Sequence, residues 1–224
     1  MRIRPRTPYI EVAFTLDPDS AKQLAAVTST IKPSSFIHRT YSRGFTVPII
    51  RAPLTPTAPW EAMSSDLISV IPAAYTQFRV TDVEPFGHSL SLIMQPRDLD
   101  ATIATVVAEA CRGYLIEHLT HPAHHFSDLT TQHERNRVLY GDPDTASTWV
   151  PRIPLALCNP RSLVSQNTRS ALTRLGPFVR ISRVAVIARS PIGEPLAVLH
   201  QQPLAVTSPE IANHPEPQEH QQAA

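Results

Sequence analysis

The pattern His-x-Thr occurs twice in this chain, as His38-Arg39-Thr40 and His118-Leu119-Thr120. On a β-strand, residues two apart point to the same side, so such a triplet projects an imidazole and a hydroxyl together. The imidazole can act as general base or as general acid. The hydroxyl can donate or accept a hydrogen bond. His38 lies just ahead of an expected strand. His118 falls at the end of a helical stripe, where residues two apart diverge, so it reads as a helix-end histidine facing carbonyls. In a chain with 10 histidines, chance triplets are expected.

His118, His121, His124, His125 and His133 raise a second chemistry, because zinc accepts imidazole readily and His121-x-x-His124 has a helical spacing. Pro122 interrupts a helix there, and Asp128 and Glu134 are carboxylates in the same stretch. The expected reading is a solvated histidine-rich loop, with no metal and no cofactor. His88 and His200 read as structural or surface residues. Arg43, Arg51, Arg79, Arg152 and Arg180 form a third set, since a guanidinium binds phosphate through two parallel hydrogen bonds. Strand arginines usually lie on the solvated face, and that is the expectation for Arg79 and Arg180.

The elements that would position these groups follow from periodicity. Tyr9 to Leu16 alternates as a strand, and Asp17 or Asp19 caps a helix to about Ile31. Phe45 to Arg51 is a short apolar strand, followed by a helix from about Trp60 to Ile71. Phe78 to Val83 and His88 to Met94 are strands joined by a turn at Glu84-Pro85-Phe86-Gly87. Asp98 caps the longest helix, with Leu99, Ile103, Val106, Val107, Ala110 and Tyr114 on one stripe. Residues 120–147 read as a histidine-rich excursion, partly helical from Thr131 to Leu139. Trp149 to Leu157 is apolar, and Asn159-Pro160 starts a helix to about Leu175. Val179 to Ala188 and Leu196 to Leu204 are the closing strands. Residues 207–224 are polar and without periodicity, and are expected to be a disordered tail.

Strand, helix, strand, strand occurs at 45–94 and again at 149–204. Phe78-Arg79-Val80-Thr81-Asp82-Val83 aligns with Val179-Arg180-Ile181-Ser182-Arg183-Val184, and Val47-Pro48-Ile49-Ile50 with Arg152-Ile153-Pro154-Leu155. Two similar lobes facing each other across a groove are the natural inference. The expected fold class is therefore α+β, one two-lobed domain over residues 1–206.

This order of elements resembles the 2H phosphoesterase superfamily, which includes 2′,5′-RNA ligase-like proteins and cyclic nucleotide phosphodiesterases. The resemblance covers about Tyr9 to Leu204. It rests on the opening strand and helix leading to Arg51-Ala52-Pro53-Leu54, on the central hairpin and long helix, and on the closing stretch Ile181 to Leu204. The family carries a His-x-Thr/Ser motif on one strand of each lobe, one imidazole serving as base and the other as acid. The resemblance places the first motif on Val47 and Ile49 and the second on Arg152 and Pro154. A slip of one residue restores neither imidazole, because no histidine occurs from Arg39 to Gly87 or from Glu134 to Leu199. The implied protein is a catalytically degenerate 2H-like chain that binds a nucleotide or RNA end through Arg152, with Arg51, Arg79 and Arg180 as further candidate ligands. Two other readings stand beside it. One is an active cyclic phosphodiesterase using His38, Thr40, His118 and Thr120, with a second histidine drawn from 118–133. The other is a protein-interaction scaffold built on the proline-rich loops.

Composition bounds these readings. The 224 residues hold 20 basic and 19 acidic side chains, so a net charge of +1 gives no bulk attraction to nucleic acid or to a membrane surface. Any RNA contact must come from a local pocket. No apolar run approaches the roughly 18–20 residues that span a bilayer. Cys111 and Cys158 form no spaced motif and fit buried thiols in a reducing compartment, with the cytoplasm as the expected location. The 23 prolines against 6 glycines point to many stiffened loops.

Overall fold

Glu11 and its neighbours sit in a strand because Tyr9–Leu16 (β1) is rich in β-branched and aromatic residues, and both faces of that strand are covered. The computed structural model describes residues 8–31, 37–40, 44–53, 60–71, 77–86, 89–96, 102–115, 130–142, 144–158, 169–170, 176–190 and 193–204. After β1 come helix Pro18–Ser29 (α1), strands Ile37–Thr40 (β2) and Thr46–Pro53 (β3), and helix Trp60–Ser69 (α2). Strands Gln77–Phe86 (β4) and Ser89–Pro96 (β5) precede helices Thr102–Leu115 (α3) and Thr131–Tyr140 (α4). A 3₁₀ turn at Ala146–Thr148 leads to strands Arg152–Cys158 (β6), Phe178–Arg189 (β7) and Pro195–Pro203 (β8).

The strands run β2-β6-β5-β4-β7-β1-β3, with β8 also paired to β7, and every pairing is antiparallel. β7 is the shared strand. Its first residues, Phe178 to Arg180, pair with β4, and from Ile181 onward it pairs with β1 and β8. One lobe is therefore β3-β1-β7-β8 and the other β2-β6-β5-β4. The two sequence repeats are interleaved between the lobes: β3 of the first repeat lies with the β7–β8 hairpin of the second, and β6 of the second lies with the β4–β5 hairpin of the first. Where the hairpins meet, Gln77 pairs with Arg180, Phe78 with Val179 and Arg79 with Phe178. The residues aligned as equivalent, Phe78 and Val179, are thus each other's partners, which is what a local two-fold axis produces.

The core fills the side of the sheet that carries Val12, Phe14, Val47, Ile50, Val184 and Val186. Phe14 and Phe78 meet there at 5.8 Å between ring centroids, tilted by 55°. α1 contributes Leu24, and Ile31 just beyond its end is buried as well. Its cap is Asp17, whose Oδ1 accepts the amide N–H groups of Asp19 and Ser20 at 3.0 and 3.2 Å, with Pro18 in the first turn.

Two sequence expectations change. β2 is an additional strand. On α3, Ile103, Ala104, Val107, Ala108 and Cys111 face inward, whereas Val106 is 43% exposed. The small Ala104 and Ala108 let the helix lie close against β3 and the 3₁₀ turn, so packing distance rather than hydrophobic bulk fixes its rotation. The helix expected from Asn159 to Leu175 lies outside the described residues except at 169–170, as do Asp98, Leu99, His88 and the tail 207–224. Cys111 and Cys158 are buried free thiols, and burial pushes the Cys111 thiol far up. Among the described residues, no helix is long and apolar enough to cross a membrane.

Candidate functional site

Pairing decides which side chains share the face opposite the core. Tyr9 and Glu11 of β1 lie opposite Arg189 and Ile187 of β7, and Glu11 lies opposite Arg51 of β3. Residues paired across an antiparallel ladder share a face. Thr46 and Arg51, five apart, would fall on opposite faces of a regular strand. They share one because Val12 pairs with Ile50 and Ala13 with Pro48, leaving Ile49 as an extra, bulged residue. Proline lacks the N–H that a regular ladder needs, so a bulge beside Pro48 has a physical reason.

Glu11 is 1% exposed and fully occupied. It accepts from Arg189 Nε at 2.8 Å, Arg51 Nε at 3.0 Å and the Thr46 hydroxyl at 2.7 Å. Burial alone would raise the Glu11 pKa, but the Arg189 and Arg51 charges and the Thr46 bond outweigh it and hold the carboxyl below its ordinary value. Arg189 is 5% exposed, and it also donates to the carbonyls of Gly193 and Gly44 at 2.8 and 3.3 Å and to Thr46 Oγ1 at 2.8 Å. The Arg51 guanidinium lies 5.9 Å from the Tyr9 ring centroid.

The other lobe presents β6, which packs against β3. It carries its own bulge: Leu90 pairs with Ala156 and Ser91 with Pro154, which leaves Leu155 extra. Arg152, 5% exposed, pairs with Ile93 and so shares a face with Pro154 and Ser91. It donates to Asp144 Oδ2 at 3.3 Å and to the Val150 carbonyl at 3.2 Å. Burial, followed by the nearby Arg51 charge, lowers its pKa to about 10. Arg152 senses the charges of Arg51, Asp142, Asp144 and Glu11, so the polar faces of the two lobes meet.

The seam is covered by the stretch after α4. Asp142 Oδ2 accepts the Arg51 amide at 2.9 Å, the Thr145 hydroxyl donates to the Ile49 carbonyl at 2.9 Å, and Trp149 Nε1–H donates to the Pro48 carbonyl at 2.7 Å. All three bonds fall on the β3 backbone. Burial and the neighbouring Asp144 charge raise the Asp142 pKa. Thr130 caps α4, its hydroxyl lying 2.6 Å from His133 Nδ1, and Gly141 ends the helix with φ 76°.

Arg51 and Arg152 come together at the seam. Arg79 and Arg180 do not join them; both are exposed, on the strands where β4 meets β7. Val47 and Ile49 are core residues at 0% and 1% exposure, and Pro154 is half-buried. His38 lies on β2, where Arg39 pairs with Leu157. Five residues separate Leu157 from Arg152, about 16 Å along a strand. His118, Thr120, His121, His124 and Arg43 lie outside the described residues. Among the described residues, no group of three His, Cys, Asp or Glu side chains is placed to hold a metal. Sequence reasoning missed Glu11, Thr46, Asp142, Asp144 and Arg189. The one available signal was an acidic residue inside the otherwise apolar run Tyr9 to Leu16.

No family model matches the chain, and no curated protein does. Solved structures match its fold. E. coli LigT complexed with 3′-AMP superposes with a TM-score of 0.53 at 11% identity, over 88% of this chain and 99% of that one. LigT complexed with NADP+ gives 0.52 at 11% identity, over 88% and 98%. TT0787 of Thermus thermophilus gives 0.52 at 14% identity, over 88% and 97%. At such identities the likeness carries the fold and leaves the activity open. The chain has the two-lobed α+β fold seen in LigT and TT0787.

Proposed function

We propose that this chain is a catalytically degenerate 2H-like protein that binds a nucleotide or RNA end where its two lobes meet. The observation that carries the reading is the pair of bulged strands. In β3 the bulge follows Pro48, and in β6 it follows Pro154. Matching the bulges equates Thr46 with Arg152 and Pro48 with Pro154, one residue away from the sequence alignment that used Val47 and Ile49. Under either register the positions expected to bear imidazoles hold side chains that do not exchange protons near neutral pH, and proline donates nothing. What persists is Arg152, whose planar guanidinium suits a phosphate. LigT, which shares the fold, has been crystallised with 3′-AMP and with ATP.

Titration calorimetry of the full chain with 3′-AMP tests the binding half of the reading. Wild type is expected to bind, and Arg152→Lys, which keeps the charge but loses the two-point fork, to bind about tenfold more weakly. Equal affinity in the two proteins would contradict a role for Arg152. A wild type without affinity for 3′-AMP would favour the scaffold reading instead.

A further inference from the structure

Ser91 is the side chain at this seam whose environment the fold alone does not explain. It is 0% exposed, and its Oγ finds no hydrogen-bond partner among the described residues. A buried hydroxyl without a partner carries a desolvation penalty, so a native one points to a group that is met only on binding. Ser91 lies directly opposite Pro154, and Arg152 lies opposite Ile93, two residues on along the same face. The Ser91 and Arg152 side chains are therefore diagonal neighbours, with Cβ atoms about 7 Å apart. An anion with several oxygens bridges that gap.

We infer that Ser91 and Arg152 form a two-point subsite for a phosphate monoester beside Pro154, with Asp144 holding the phosphate's place on Arg152. Pro154 supplies no hydroxyl, and Ser91 brings one to the same face from the adjacent strand. Asp144 is suited to give way. Its carboxylate lies at 3.3 Å from Arg152, longer than charged pairs usually adopt. Its side chain is 27% exposed, so it can turn to water. Its amide N–H stays on Asp142 Oδ1 at 3.0 Å, so the backbone need not move. A phosphate arriving over the half-buried Pro154 would then accept from Arg152 and from the Ser91 hydroxyl. The subsite deepens the nucleotide-binding reading and rests on it.

The test is calorimetry of the full chain with inorganic phosphate and with 3′-AMP, using wild type, Ser91→Ala and Asp144→Asn. Ser91→Ala is expected to weaken both ligands about tenfold without lowering the Tm, since it removes an unpartnered hydroxyl. Asp144→Asn is expected to bind both several-fold more tightly, because a neutral amide competes poorly for the guanidinium. Wild-type affinity for both ligands in Ser91→Ala, alongside clear 3′-AMP binding by wild type, would overturn the subsite and leave the wider reading intact. Weaker phosphate binding in Asp144→Asn would also overturn it. No binding of 3′-AMP by wild type would end both.

Discussion

Glu11 holds three partners at once, so its removal perturbs three groups together. Glu11→Gln keeps the shape but leaves the Arg189 and Arg51 guanidiniums without their shared carboxylate. Breaking a buried pair by removing one partner destabilises by about 3–5 kcal/mol, and denaturant unfolding at pH 7 should show a loss of that order. The pH dependence carries a sign. Because the folded-state pKa of Glu11 is depressed, its contribution is fully present above the unfolded-state pKa, about 4.3. It is lost as pH falls through the lower folded-state value. The stability gap between wild type and Glu11→Gln should therefore be constant from pH 7 to about pH 5 and shrink in stronger acid. A gap unchanged under strong acid would show that Glu11 acts through packing rather than charge. Little of this was legible beforehand. Alternation marks Glu11 as lying opposite the core, but whether that face meets water or buried partners depends on residues up to 178 positions away, such as Arg189.

At the scale of elements, the stretch from Asp142 to Trp149 acts as a missing strand for β3. It answers one amide and two carbonyls with side chains instead of a ladder. Thr145 is the buried member, at 0% exposure, and its own carbonyl accepts from Asn136 Nδ2 at 2.7 Å. Thr145→Val preserves the shape and removes the donor to Ile49, leaving a buried carbonyl unpaired at about 1–3 kcal/mol. Thr145→Ser should retain most of that stability, and chemical denaturation of the two variants side by side checks it. Equal loss in both would mean that the methyl group, and not the hydrogen bond, is what matters. Periodicity did reveal the partly helical run from Thr131. It could not reveal that the following turn seals β3, because side-chain-to-backbone bonds across about 100 residues leave no periodic trace. The same limit hid β2: four residues are too few for a pattern to rise above the surrounding loop.

At the scale of the whole molecule, the order of elements and the internal repeat were enough to anticipate the two lobes. They were not enough to show that the repeats exchange hairpins, since that follows from which edges meet. The register of β3 was the other obscured feature. A bulge moves every following side chain to the opposite face, and nothing in Thr46-Val47-Pro48-Ile49 except the proline hints at one. Under the proposed function, two facing strands lack a proton-transfer pair while keeping a phosphate anchor. The most direct measurement of that is incubation of the full chain with adenosine 2′,3′-cyclic phosphate, followed by separation of the products. Binding competed by 3′-AMP is expected, with no hydrolysis above the buffer rate. Hydrolysis by wild type that His38→Ala abolishes would contradict the proposed function and put the catalytic base on β2.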